Sequence, residues 1–163
     1  MGSGYDVLGF ALEGLGDFIE IERTRSKGLE ISEILGASDI PKDPLKNVST
    51  VAGQSLLTSF GKYNGGFRLK ISKMVKAGSG LGSSASSSAA AVFGINELLG
   101  RPFDKTQLVQ FAGEGERVAS GKVHYDNVAA SIFGGFTRGL KPDALPAGLP
   151  VGAIFRDSLH PRY

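Results

Sequence analysis

The chain has 163 residues, enough for one domain with a substantial core. Its 18 lysines and arginines stand against 16 aspartates and glutamates, a net charge of +2 with no long basic run, so no nucleic-acid partner is expected. Cysteine is absent, which excludes disulfides, a thiolate metal site and a thiol nucleophile; with no signal peptide or membrane-length apolar run visible, a cytoplasmic setting and no membrane partner are expected.

In chain order, the sequence opens on a Gly2-Ser3-Gly4 turn with no strand ahead of it. Residues 18–22 alternate as a half-buried strand should, residues 29–32 do the same, and Ser26-Lys27-Gly28 between them predicts a hairpin. Asp43-Pro44 predicts a helix start with Asp43 as N-cap. Val48, Val51, Ala52, Ser55, Leu56 and Ser59 then form a helical face reaching about Phe60. Asn64-Gly65-Gly66 is a turn, and residues 67–71 alternate as a strand that feeds directly into a glycine-rich loop.

That loop is Gly78-Ser79-Gly80-Leu81-Gly82-Ser83-Ser84-Ala85, and it runs into Ser86-Ser87-Ser88-Ala89. Alternate glycines suit a backbone that turns tightly and comes close to a ligand. Val92, Ile95 and Leu99 follow at helical spacing, while Ala89, Phe93 and Leu98 fill other faces, so a largely buried helix capped by Gly100 is expected. A glycine loop opening a buried helix offers unpaired N–H groups and the positive end of the helix dipole to one point, an anion site. Ser83 and Ser84 add hydroxyls for phosphate or magnesium. The spacing meets neither the Walker pattern nor the dinucleotide fingerprint. A Gly/Ser linker would not continue into an apolar helix.

Asp104 with Gln107 makes a capping box for the next helix, whose buried stripe is predicted as Leu108, Phe111, Ala112 and Val118. Gly113 and Gly115 inside it each cost roughly 1 kcal/mol against alanine. They mark either a close approach of another backbone or an early helix end. Residues 120–130 are a second polar cluster, containing His124, Asp126 and Asn127. On its own it reads as a loop histidine with Asx-turn residues, followed by an apolar turn and strand at 132–136. The tail holds Pro142, Pro146 and Pro150 around a short apolar piece.

Gly80-Leu81-Gly82-Ser83-Ser84-Ala85, with the serine- and alanine-rich helix behind it, resembles the second motif of the GHMP small-molecule kinases. The segment from His124 through Gly135, with its His-x-Asp-Asn-Val-Ala start and its Gly-Gly end, resembles the homoserine kinases within that superfamily, as does Gly2-Ser3-Gly4-Tyr5-Asp6-Val7-Leu8-Gly9. The resemblance implies an α+β fold like ribosomal protein S5 domain 2, with one mixed or antiparallel sheet of four or five strands and the helices on one face. It also implies a left-handed β-α-β crossover through the phosphate loop. Residues 1–140 are then the ATP-binding N-terminal domain, and 141–163 begin the connection to a second domain, the chain being expected to lack parts at both ends.

By the same resemblance, Lys76, Ala77, Gly78, Ser79, Gly80, Leu81, Gly82, Ser83 and Ser84 cradle ATP. Ser84 and Glu116 hold Mg²⁺, with Glu114 as runner-up. Asp6 pairs with the ammonium of L-homoserine, Asn127 holds the accepting hydroxyl, and His124 lines the pocket beside it. A neutral Asn127 cannot be a general base. A homodimer is also in keeping with the family. The competing readings are another GHMP kinase and a non-catalytic fragment that keeps only the fold.

Overall fold

A computed structural model describes residues 8–12, 14, 16–121 and 123–138. Among these, five strands and four helices follow in the order β1 (Leu8–Phe10), β2 (Phe18–Thr24), β3 (Gly28–Leu35), α1 (Val48–Phe60), β4 (Gly66–Ser72), α2 (Ser83–Leu98), α3 (Lys105–Ser120), α4 (Tyr125–Phe133) and β5 (Phe136–Arg138). The Gly2-Ser3-Gly4 turn, Asp6 and the proline-containing tail lie outside the described residues.

The strands do not form the single sheet expected. β2, β4 and β3 make a three-stranded mixed sheet in that order, and β1 pairs antiparallel with β5 in a separate ribbon. β2 and β3 are not a hairpin, because β4 lies between them, antiparallel to β2 and parallel to β3. Charge explains the insertion. The outer face carries Glu20 and Glu22 on β2 and Glu30 and Glu33 on β3, which would repel if the two strands were neighbours. β4 places Arg68 opposite Glu22 and Glu30, with N···O distances of 2.8 and 2.6 Å. Lys70 likewise stands opposite Glu20 and Glu33, at 3.7 and 3.4 Å. Each exposed pair contributes little energy, but together they set partner and register. The inner face gives the same order, since β4 alone buries three large side chains completely: Phe67, Leu69 and Ile71.

The described β-α-β unit runs from β3 through α1 to β4, rather than through the phosphate loop as expected. α1 and α2 cover the apolar side of the sheet, and α3 packs on both. Helix α1 starts later than Asp43-Pro44 suggests. Asp43 holds a separate turn by accepting from the Leu45 N–H at 3.0 Å, and the N-cap is Asn47, whose buried side chain accepts from Ser49 N at 3.0 Å. Asn47 also donates to the Pro41 carbonyl at 2.9 Å, which fixes the entry of the chain and makes it the better cap. Ser59, placed on the buried face by spacing, is exposed.

The capping box of α3 is present, with Asp104 and Gln107 bonded reciprocally at 2.8 and 3.0 Å. The helix does not end at its glycines. A Cβ on Gly115 would strike the Val48 carbonyl and lie 2.5 Å from Ser88 Oγ, and one on Gly113 would meet Val123 and Tyr125 at 2.8 and 2.9 Å. The glycines therefore mark close approaches. Val118 and Phe93, assigned to buried faces from spacing, are 43% exposed. Residues 125–133, read above as polar loop and apolar turn, are helical; Val128, Ala129 and Ile132 form the buried stripe of α4.

Gly115→Ala should destabilise the fold. The helix-propensity gain of about 1 kcal/mol is outweighed by overpacking against a backbone carbonyl, which costs about 1–3 kcal/mol or more. A urea midpoint equal to or above wild type would show that α1 and α3 separate at little cost.

Candidate functional site

β4 ends at Ser72, and the chain crosses to the first turn of α2 through residues 73–82. Gly78, Gly80 and Gly82 all take left-handed φ, at 74°, 78° and 72°. A side chain at these positions would be strained, which is why the sequence alternates glycine here. Gly82 is the N-cap of α2 and offers no side chain to its first turn, which also holds no acidic residue. The N–H groups of that turn thus lack the usual side-chain acceptor, and the dipole end faces the loop.

The loop forms one wall of a cleft of about 1140 Å³. Ala77, Gly78, Ser79, Gly80, Gly82, Ser83 and Ser84 line it, as do Glu116 from α3 and His124, Asp126 and Asn127 at the start of α4. Leu81 faces a second, smaller cleft of about 680 Å³ among Phe10, Leu12 and Phe93, which shares Gly80, Gly82 and Asn127 with the first. Lys76 is exposed and lines neither cleft. Asn127 packs against Gly82: a Cβ built there would sit 3.5 Å from the Asn127 side chain. Of the residues singled out from sequence, Asp6 lies outside the described residues.

Ser84 and Glu116, 32 residues apart in sequence, meet directly. Ser84 Oγ donates to Glu116 Oε2 at 3.0 Å, while Glu116 Oε1 is buried with no hydrogen-bond partner. Glu116 is 3% exposed. Burial pushes its carboxyl above the usual carboxylate range, against the Ser84 hydrogen bond and the attraction of His124; Asp126 adds a further push and Lys73 a weaker pull down. An orphaned oxygen on a buried carboxylate beside a hydroxyl fits a hard divalent cation. Magnesium takes few ligands from protein and completes its shell with water and phosphate oxygens. Glu114 is not part of the arrangement. Its side chain is partly exposed and bonded to Arg117 at 3.1 and 3.2 Å.

Two features escaped sequence reading. Asp126 was part of the polar cluster without a role of its own, yet its Oδ1 is also buried without a partner. Asp17 and Lys73 form a buried ion pair beneath the loop, with side chains 0% and 3% exposed. Lys73 could have been found from parity: it continues the series Phe67, Leu69, Ile71 that points into the core, so a charge there needs a counter-charge inside.

A mixed sheet covered by helices, with a glycine loop between its central strand and the N-terminus of a buried helix, has the layout of an anion site. The family model described as GHMP kinases N terminal domain matches residues 47–135, and the chain belongs to the GHMP kinase family. A homoserine kinase of Natronomonas pharaonis is 43% identical over 137 residues, which is 84% of this chain and 44% of that protein. The crystal structure of a homoserine kinase from Cytophaga hutchinsonii superposes with a TM-score of 0.82 at 40% identity, covering 88% of this chain and 45% of that one. A mevalonate kinase from Methanococcus jannaschii shares the fold at a TM-score of 0.60 and 18% identity, over 74% of this chain and 42% of its own. The chain thus spans about half the length of the curated relatives it matches. No helix among the described residues is long and apolar enough to cross a membrane.

The raised Glu116 carboxyl has a consequence for stability. A folded-state value above the unfolded one means that the folded chain holds the proton more tightly. Stability from this group is therefore full at acid pH and is lost as pH rises from the ordinary carboxylate range through the raised value. Urea midpoints of wild type minus those of Glu116→Gln should fall across that window in the absence of metal. A flat difference would show that the carboxyl is well solvated.

Proposed function

We propose that this chain is the ATP-binding portion of a kinase that moves the γ-phosphoryl group of ATP to the hydroxyl of L-homoserine, giving O-phospho-L-homoserine and ADP. The observation that carries the proposal is the meeting of Ser84 with the half-unpartnered Glu116 across a loop of left-handed glycines. Phosphoryl transfer needs positioning and charge neutralisation more than covalent chemistry, and the cleft has parts for both. Backbone N–H groups of residues 77–84, other than those of Ser79 and Leu81 that bond within the loop, receive the phosphates at the dipole end of α2. Lys76, exposed at the loop's edge, approaches them from solvent. Ser84 Oγ and Glu116 would hold Mg²⁺, which neutralises charge on the phosphates. The identity to homoserine kinases over most of this chain supports the choice of acceptor.

Asn127, held against Gly82 on the wall between the two clefts, orients the accepting hydroxyl, with His124 beside it. Asn127 cannot take the proton. Asp126, adjacent in the chain, lines the same cleft with a spare buried oxygen, and the proton passes to it or directly to phosphate. The proposal assigns the substrate ammonium to Asp6, on the family resemblance alone. The proposal extends to a cytoplasmic setting, to residues 1–140 as the nucleotide domain, and to 141–163 as the start of the connection to a second domain.

Isothermal titration of the full chain with ATP, with and without Mg²⁺ and then with homoserine, tests the reading. ATP should bind more tightly with magnesium, and Ser84→Ala should remove most of that gain, about tenfold or ~1.4 kcal/mol. A folded chain whose ATP affinity ignores both magnesium and the substitution overturns the metal assignment. If the proton goes to Asp126, Asp126→Asn should lower kcat about 10²-fold or more with little change in the KM for ATP. An unchanged kcat would send the proton directly to phosphate.

A further inference from the structure

We infer that the buried Asp17–Lys73 pair is a positioning device that holds the two ends of the glycine loop at the spacing nucleotide phosphates require. The inference rests on the phosphate-site reading of that loop. Lys73 follows directly after β4, at the entry to the loop, and its ammonium reaches across to the exit. It donates to the Ser83 carbonyl at 3.0 Å, to Ser87 Oγ at 2.8 Å and to Asp17 Oδ2. All three donors are thereby used within the protein. Asp17 completes the tie from below. Its Oδ1 accepts from Met74 N and Val75 N at 3.0 and 3.2 Å, its Oδ2 accepts from Ser87 Oγ at 2.6 Å, and its own N–H donates to Ser86 Oγ at 3.2 Å. Ser83 Oγ adds a bond to the Val75 carbonyl at 2.8 Å.

Between these anchors the loop is held only by itself. Residues 76–81 are exposed, and the contacts seen there are local: Ser79 N to the Lys76 carbonyl at 3.2 Å and Leu81 N to Ser79 Oγ at 3.4 Å. A glycine-rich segment fixed at both ends has far fewer conformations than one fixed at neither. A ligand that uses its backbone N–H groups then pays less ordering entropy. Stability is a poor reason for the pair, because well-packed apolar residues commonly replace a buried ion pair without loss. What an apolar pair cannot do is bond Met74 N, Val75 N and the Ser83 carbonyl at once.

That difference separates positioning from mere core filling. The double substitution Asp17→Asn with Lys73→Met leaves no unpaired buried charge, so its melting temperature should stay near wild type. Its Mg-ATP dissociation constant should rise about tenfold or more, and amide exchange at residues 74–82 should speed up. Lys73→Met alone strands the Asp17 carboxylate and should also lower the melting temperature. Ser87→Ala, which removes one bridging hydroxyl, provides a milder variant should the double one not fold; it should weaken Mg-ATP by about threefold in a native fold. A folded double variant, or a folded Ser87→Ala, with wild-type affinity and wild-type loop exchange overturns the inference. If wild type itself binds no Mg-ATP, the phosphate-site reading fails separately. Loop exchange then decides the tie alone: faster exchange in the variants upholds it, and unchanged exchange refutes it.

Discussion

The alternation of β4 is the constraint on which the rest of the structure depends. Phe67, Leu69 and Ile71 point into the helices, while Arg68 and Lys70 point outward between two rows of glutamates. The inner series makes β4 the strand with most to bury, and the outer series makes it the only described strand that can lie between β2 and β3 without like charges facing each other. Once β4 is central, its C-terminal end delivers the glycine loop to the middle of the sheet edge, directly beneath the N-terminus of α2. The parity continues one step further to Lys73, so the same alternation that builds the core carries a cation under the loop.

The second requirement is close helix packing, and small residues meet it. α1 and α3 approach at Gly115, where any Cβ would press on the Val48 carbonyl, and Ser88 of α2 fills the space beside them. Ser49 Oγ donates to the Ser87 carbonyl at 3.3 Å across the same seam. This closeness puts Glu116, one residue after that glycine, within hydrogen-bond reach of Ser84. The cost of glycine inside α3 is thus tied to the site: a helix of higher propensity would hold Glu116 further from the loop. The serine-rich start of α2 does the same double duty. Ser83 and Ser87 bond inward to Val75, Asp17 and Lys73, while Ser84 faces the cleft.

What the sequence made legible is what is local. The glycine loop, the capping box at Asp104 and the strand cores at 18–22, 29–32 and 67–71 each announce themselves within a few residues, through φ requirements, paired caps or period-two alternation. Ser84 and Glu116 were paired through family resemblance, not through spacing. The sheet order was misread as a hairpin, because a turn such as Ser26-Lys27-Gly28 is compatible with both a hairpin and an inserted strand. Only the non-local charge pattern of β2, β3 and β4 decides between them. Helix α4 was hidden because its first turn is polar and its buried stripe short: Val128, Ala129 and Ile132 fall within nine residues. Asp17 carries no local mark at all, and becomes meaningful only when Lys73, 56 residues away, is folded against it.

The electrostatics of the cleft bind these elements to one chemistry. One wall carries the end of the α2 dipole, with the Lys73 ammonium beneath it; the opposite wall carries Glu116 and Asp126, each with a buried oxygen lacking a partner. A phosphate alone would gain from the first wall and be repelled by the second. A cation alone would gain from the second and meet serine hydroxyls, but also the buried Lys73, on the first. On the proposed reading, a phosphate with a bound divalent cation would satisfy both, and the cation would give the charged form of Glu116 a counter-ion. Under the proposed function, a metal-bound phosphate would bring the positive charge that the Glu116 wall lacks.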